Sequence, residues 1–185
     1  MDYLVAAIRR QLRAKIADMG ERSRSLLKPG DPTEFANDER DLGFEFPSLL
    51  KRLYSEIGNG GFGPGYGLIG LSKGVPDDLG KTAPEIYRQF RTRDTNWNWP
   101  VGLLPICHWG CAILSCIDCA DSNFRMRIFD PNAHNGNDWS DAFFEESPDF
   151  ETWIGAWSKG VNLWDTMYGE GGHIFQILSD RARSR

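Results

Sequence analysis

Residues 57–71 read Ile57-Gly58-Asn59-Gly60-Gly61-Phe62-Gly63-Pro64-Gly65-Tyr66-Gly67-Leu68-Ile69-Gly70-Leu71. A residue without a Cβ both takes φ > 0 and lets a neighbour approach the backbone, so the stretch is either a cradle for a phosphate or a turn. Gly65 to Gly70 matches the GxGxxG spelling of a dinucleotide loop. That chemistry needs a strand before the glycines and a helix directly after them, so that the pyrophosphate meets the helix N-terminus. Here a helical pattern precedes and Ser72-Lys73-Gly74-Val75-Pro76 follows. A P-loop needs Gly-Lys-Ser or Gly-Lys-Thr in order, and Leu71 and Ser72 separate Gly70 from Lys73. The glycines therefore read as a helix stop at Gly58, an open turn, and a strand over Tyr66 to Leu71.

The preceding helix starts at Pro47 and carries Leu49, Leu50, Leu53, Tyr54 and Ile57 on one face. On the other side, Pro84 to Arg93 reads as a short helix with Ile86, Tyr87 and Phe90 inward. Leu103 to Ile106, Ala112 to Asp118 and Phe124 to Phe129 read as strands. In the last of these, Phe124, Met126 and Ile128 alternate with Arg125 and Arg127, the period of two of a half-buried strand. Asp130-Pro131-Asn132 turns the chain. Ser147-Pro148-Asp149 has the form of an N-cap, an N1 proline and a first-turn acid, with Phe150, Trp153, Ile154 and Trp157 as the buried face and Gly160 as the stop. Nearer the start, Leu4, Ile8, Leu12 and Ile16 recur every four residues, which makes an amphipathic helix. Arg22 to Phe35, with Ser23, Ser25, Pro29, Gly30, Asp31 and Pro32, has the composition of a connector. The division is thus residues 1–35 for helix and connector, 36–168 for the main domain, and 169–185 for a tail with one short helix over Ile174 to Leu178.

A chain of 185 residues with 41% hydrophobic and 12% aromatic content, including seven tryptophans, has the material for one real core. The net charge of -5 is uneven. Basic residues dominate before Lys28, whereas Ile128 to Ser158 contains no lysine or arginine and holds Asp130, Asp138, Asp141, Glu145, Glu146, Asp149 and Glu151. A surface of that sign repels nucleic acid and draws a cationic partner, besides keeping the protein soluble. The apolar run Tyr3 to Ile8 is too short for a secretory signal or a membrane span, so a cytoplasmic protein with no membrane contact is expected.

Cys107, Cys111, Cys116 and Cys119 include a single CxxC knuckle. Structural zinc calls for two knuckles, or one with a well-spaced pair of ligands, and a strand across these positions turns alternate side chains apart. Reduced cysteines packed as small apolar groups fit better. His108, His134 and His173 stand in no nucleophile motif. Asp138, Asp141, Glu145 and Glu146 admit a carboxylate pair, but carboxylates this abundant make pairing uninformative. No catalytic residue, metal ligand or cofactor site is assigned.

Glu39-Arg40-Asp41-Leu42-Gly43-Phe44-Glu45-Phe46-Pro47, Leu50-Lys51-Arg52-Leu53-Tyr54 and Ile57-Gly58-Asn59-Gly60-Gly61-Phe62-Gly63 form an ordered set. Trp99-Pro100, Leu104-Pro105-Ile106, Trp109-Gly110-Cys111, Phe150, Trp153, Ile154, Trp157 and Gly160 follow it. This order resembles the SUKH superfamily, which includes the fungal cell-wall-assembly regulator and many bacterial toxin-immunity proteins. The resemblance, from about Glu39 to Trp164, implies an α+β domain with a twisted, mainly antiparallel sheet flanked by N-terminal and C-terminal helices. It also implies no catalytic residues and a protein-binding role. The expected function is an immunity protein that neutralises a cognate toxin domain, often a nuclease, with an intracellular scaffold or regulator as the alternative. Because complementary charge speeds encounter and fixes register, Asp138, Asp141, Glu145 and Glu146 are the candidate partner-binding residues. Trp139, Phe143 and Phe144 between them are either apolar anchors or core, and core is the expectation for at least two. Oligomeric state is not fixed by the sequence.

Overall fold

The computed structural model of the chain describes residues 2–19, 27–92, 97–136 and 138–183. The elements in order are α1 (Asp2–Met19), α2 (Pro32–Leu42), α3 (Ser48–Glu56), α4 (Ala83–Thr92), β1 (Leu103–Gly110), β2 (Ile113–Asp118), β3 (Met126–Phe129), β4 (Phe143–Ser147), α5 (Phe150–Ser158), α6 (Leu163–Tyr168) and α7 (His173–Arg183). Short 3-10 turns at Pro131–Ala133 and Trp139–Ala142 lead from β3 into β4. The four strands form one antiparallel sheet in sequence order, β1-β2-β3-β4, so the α+β class and the helices at both ends are as expected.

Residues paired across the ladder share a face of the sheet. Leu114, Phe129 and Phe143 stand together on one face, with Cys116, Arg127 and Glu145 beside them; Ser115, Ile128 and Phe144 stand on the other. On the first face Trp97 and Trp99 pack on Phe129 at 5.2 and 5.1 Å between ring centroids, with Phe90 of α4 behind them. On the second face Ile113, Ile128 and Phe144 meet Met167 of α6 and Ile174 of α7. Trp153 and Ile154 of α5 belong to the main core, which also takes in Val5 and Ile8 of α1 and Leu49, Leu50, Leu53 and Tyr54 of α3. Each such buried side chain contributes roughly 1.5–3 kcal/mol over an exposed one. In α1, Ile8 is buried and Leu4 and Leu12 pack on the core as the four-residue repeat requires; the Ile16 side chain lies outside the described residues.

Several boundaries differ from the sequence expectation, each for a local reason. The connector gives way at Pro32, because Asp31 caps a helix there by accepting from the Thr33 N–H at 2.8 Å; residues 20–26 lie outside the described ones. Pro29 and Gly30 remain loop, and Asp31-Pro32 is the helix start, a cap followed by an N1 proline. Gly43 closes α2 in the left-handed region, its N–H donating to the Glu39 carbonyl at 2.9 Å. The strand expected over Tyr66 to Leu71 is a loop with one bridge, Leu68 to Cys107, because Gly65 and Gly67 at φ +55° and +99° break any regular ladder. β3 begins at Met126, since Phe124 sits at φ 52°. β4 was not foreseen. It takes Ser147, so the cap of α5 is Asp149, which accepts from the Thr152 N–H at 2.5 Å. The tail holds α7, longer than expected, and α6 precedes it. Arg93, the expected end of α4, lies outside the described residues.

The glycine loop is closed by protein groups. Asn59, 3% exposed, accepts from the Leu71 N–H at 2.8 Å and donates to the Leu71 and Ser72 carbonyls at 3.4 and 3.1 Å. A Cβ on Gly70 would stand 2.5 Å from both the Asn59 carbonyl oxygen and the Val75 nitrogen. Asp38 accepts from the Ser72 N–H and hydroxyl at 2.9 and 2.5 Å. The glycines let two chain segments touch.

Candidate functional site

The acidic run from Asp138 to Glu146 spans a 3-10 turn and β4, and its four carboxylates have different roles. Asp138 is exposed and caps the turn, accepting from the Ser140 N–H at 3.1 Å and its hydroxyl at 2.8 Å. Those bonds hold its pKa below the ordinary aspartate value. Asp141 is turned inward: Oδ1 meets His134 Nδ1 at 2.9 Å and Oδ2 accepts from the Asn135 N–H at 3.0 Å. Glu145 is exposed, 3.4 Å from Arg125, on the face of the sheet that carries Arg127 and Phe143.

Glu146, next along β4, faces the opposite way by strand alternation, on the side of the sheet that carries Ser115 and Phe144. Its Oε1 accepts from the Ser115 hydroxyl at 2.9 Å and from the Trp153 indole N–H at 2.5 Å, while the Trp109 indole N–H donates to the Ser115 oxygen at 2.8 Å. Oε2 is sealed from solvent with no hydrogen-bond partner. Burial pushes this carboxyl up to about 7, against the pull of its two hydrogen bonds. The structure thus leaves Asp138 and Glu145 at the surface and commits Asp141 and Glu146 to internal contacts.

The aromatics of the run face the protein. Trp139 stacks on His134 at 3.8 Å and packs near Trp97 at 5.5 Å; Phe143 meets Trp99 at 5.4 Å; Phe144 is buried under Arg181, whose guanidinium lies 5.0 Å from its ring. Arg181 also donates to the Asp141 carbonyl at 2.8 Å. His173 joins the Thr166 and Glu145 carbonyls at 3.1 and 2.9 Å. Residues of the tail therefore hold the acidic run from behind, a relation with no signal in sequence spacing.

Groups with chemical potential elsewhere are equally engaged. Burial pushes the Cys107 and Cys116 thiols well above the ordinary range and also raises Cys119, so all three remain protonated packing groups at neutral pH. Cys111 is exposed at the β1–β2 turn. Among the described residues no three His, Cys, Asp or Glu side chains are grouped to hold a metal ion, and no helix is long and apolar enough to cross a membrane. A broad groove of about 1430 Å³ runs between α1 and the β4–α5 junction, with Tyr3, Leu4 and Arg10 on one wall and Arg125, Pro148 and Lys159 on the other.

An antiparallel four-stranded sheet, packed by helices from both ends of the chain, defines an α+β domain. The chain belongs to the SMI1 / KNR4 family (SUKH-1), whose family model matches residues 29–156. No curated protein matches it. Glu39 and Asn59, both in the sequence pattern that resembled this family, have structural roles: Glu39 accepts from the Phe46 N–H and the Lys51 ammonium, each at 2.7 Å, and Asn59 closes the glycine loop. α1, α6 and α7 lie outside the matched residues.

Proposed function

We propose that this protein is a non-enzymatic immunity protein of the cytoplasm that binds a cognate toxin domain with a basic surface and blocks it. The observation that carries the reading is how the reactive groups are disposed. The thiols of Cys107 and Cys116 are buried, that of Cys119 is half-buried, all three are raised and protonated, and His134 and His173 are held by a carboxylate and by carbonyls. Carboxylates such as Asp138 and Glu145 meanwhile stand at the surface of a chain with net charge -5. Family membership supports the same reading, since the family includes immunity proteins as well as fungal regulators.

Nuclease toxins bind a polyanion, so their active surface is basic and complementary to acids of this kind. The test is a pull-down from the producing cell with the full chain as bait, followed by mass spectrometry and a salt series. Recovery of a toxin domain, bound less tightly as salt rises, is the expected result. Recovery of a housekeeping protein alone would replace the immunity reading with that of a regulator or scaffold.

A further inference from the structure

Tyr66 in the glycine-rich loop is 73% exposed, and Leu79 on the segment that follows is 77% exposed. The tyrosine is mounted on rigid backbone. Its N–H donates to the His108 carbonyl at 3.1 Å, and the amides of Gly67, Leu68 and Ile69 donate to the Pro64, Phe62 and Ile106 carbonyls at 2.9, 2.6 and 2.8 Å. Gly65 sits so close to β1 that a Cβ there would be 2.7 Å from the His108 carbonyl oxygen. The Tyr66 ring meets the edge of His108 at 5.6 Å between centroids, and its hydroxyl lies over Gly110.

His108 Nδ1 is in turn 3.5 Å from Asp78 Oδ1, long for a hydrogen bond, and is sealed with no hydrogen-bond partner, whereas the Asp78 side chain is 59% exposed. The neighbouring Asp77 is engaged internally, accepting from the Leu79 and Lys81 N–H groups at 3.0 and 2.8 Å. Of the lysines on the flanking segments, Lys73 pairs with Glu34 at 2.8 Å, and Lys81 lies beside Glu85. Next to Gly110, Cys111 and Ala112 hold φ of 51° and 61°, a left-handed pair without glycine at the hairpin tip.

An exposed aromatic face and an exposed carboxylate, both in contact with one histidine, match one side chain best. Arginine stacks on the ring and forks onto the carboxylate, and its guanidinium is weakly hydrated. The net charge of -5 favours a cationic visitor. A pre-ordered tyrosine loses little freedom on binding, whereas half of the acidic run at residues 138–146 is committed inside the fold. We propose that Tyr66, Asp78 and Leu79 form the docking surface for a protein partner, with an arginine of that partner laid on Tyr66 and paired with Asp78. The proposal rests on the binding-protein reading and names its surface.

The test places photo-reactive benzoylphenylalanine at position 66, or at position 138, of the full chain in the producing cell and identifies the cross-linked peptide. The expected result is a cross-link from position 66 to a segment containing arginine. For the partner so identified, Tyr66→Ala should weaken binding about thirtyfold, the size of a hot-spot truncation, while Tyr66→Phe keeps the ring and most of the affinity. Asp78→Asn should weaken binding and flatten its salt dependence. A toxin cross-linked only from position 138, or a Tyr66→Ala affinity within about twofold of the parent, would overturn this surface and leave the immunity reading standing. A non-toxin protein captured through its arginine at position 66 would support the surface and overturn the immunity reading. No cross-link from either position would overturn the surface.

Discussion

Glu146 shows how one residue can be misread from its surroundings in sequence. In the run Asp138 to Glu146 it looks like one more surface acid, yet its carboxyl is enclosed between Ser115, Trp109 and Trp153. Burial raises its pKa from the ordinary 4.5 to about 7, so the folded protein holds this proton over a pH range in which the unfolded chain has released it. Stability from this group is therefore fully present below about pH 4.5 and is lost as pH rises through about 7, by roughly 3 kcal/mol in all. Denaturant melts of the parent and of Glu146→Gln across pH 4 to 9 check this: the difference between the two curves should slope through that window and level off above it. A constant difference would mean that the carboxyl titrates alike in the folded and the unfolded chain, without the raised pKa. The variant comparison matters because Glu85 and Asp138 are lowered by hydrogen bonds and act in the opposite sense, adding stability that is lost on acidification.

At the scale of elements, the glycine loop and α5 make opposite predictions for the same substitution. Gly70→Ala drives a Cβ to 2.5 Å from two backbone atoms and should cost about 2–3 kcal/mol in a chemical melt. Gly155 lies within α5, with only Leu4 Cδ1 at 3.8 Å from the added carbon, so Gly155→Ala should stabilise by about 0.5–1 kcal/mol through helix propensity. α3, α4 and the core of β1 to β3 were legible because their apolar residues recur at helical or strand spacing. β4 was hidden because Phe-Phe-Glu-Glu does not alternate in polarity: Phe144 and Glu146 share the inward face, and there the pattern calls for an apolar residue where Glu146 stands. α2 was hidden for the reverse reason: Asp31-Pro32 is a helix start that composition alone renders as a linker. The fold class came from the order of short motifs, and the partition of the acidic carboxylates into buried and exposed depended on β4.

For the whole molecule, the segments outside the family match complete the core. α1 buries Val5 and Ile8, and α7 buries Ile174 against Ile128 and Phe144. Removing residues 173–185 should uncover that second cluster, cost about 3 kcal/mol or more, and lower the melting temperature by roughly 6–12 °C in calorimetry. An unchanged melt would make α7 an appendage rather than a cover. The central claim of the proposed function is that this protein acts by occupying its partner, not by altering it. The most direct measurement titrates a captured toxin domain with the purified chain and follows residual toxin activity. The account predicts a linear fall that ends at one equivalent, with both chains recovered at unchanged mass and the toxin active again after separation in high salt. Loss of activity at a small fraction of an equivalent, with a changed toxin mass, would contradict it and mark the protein as an enzyme.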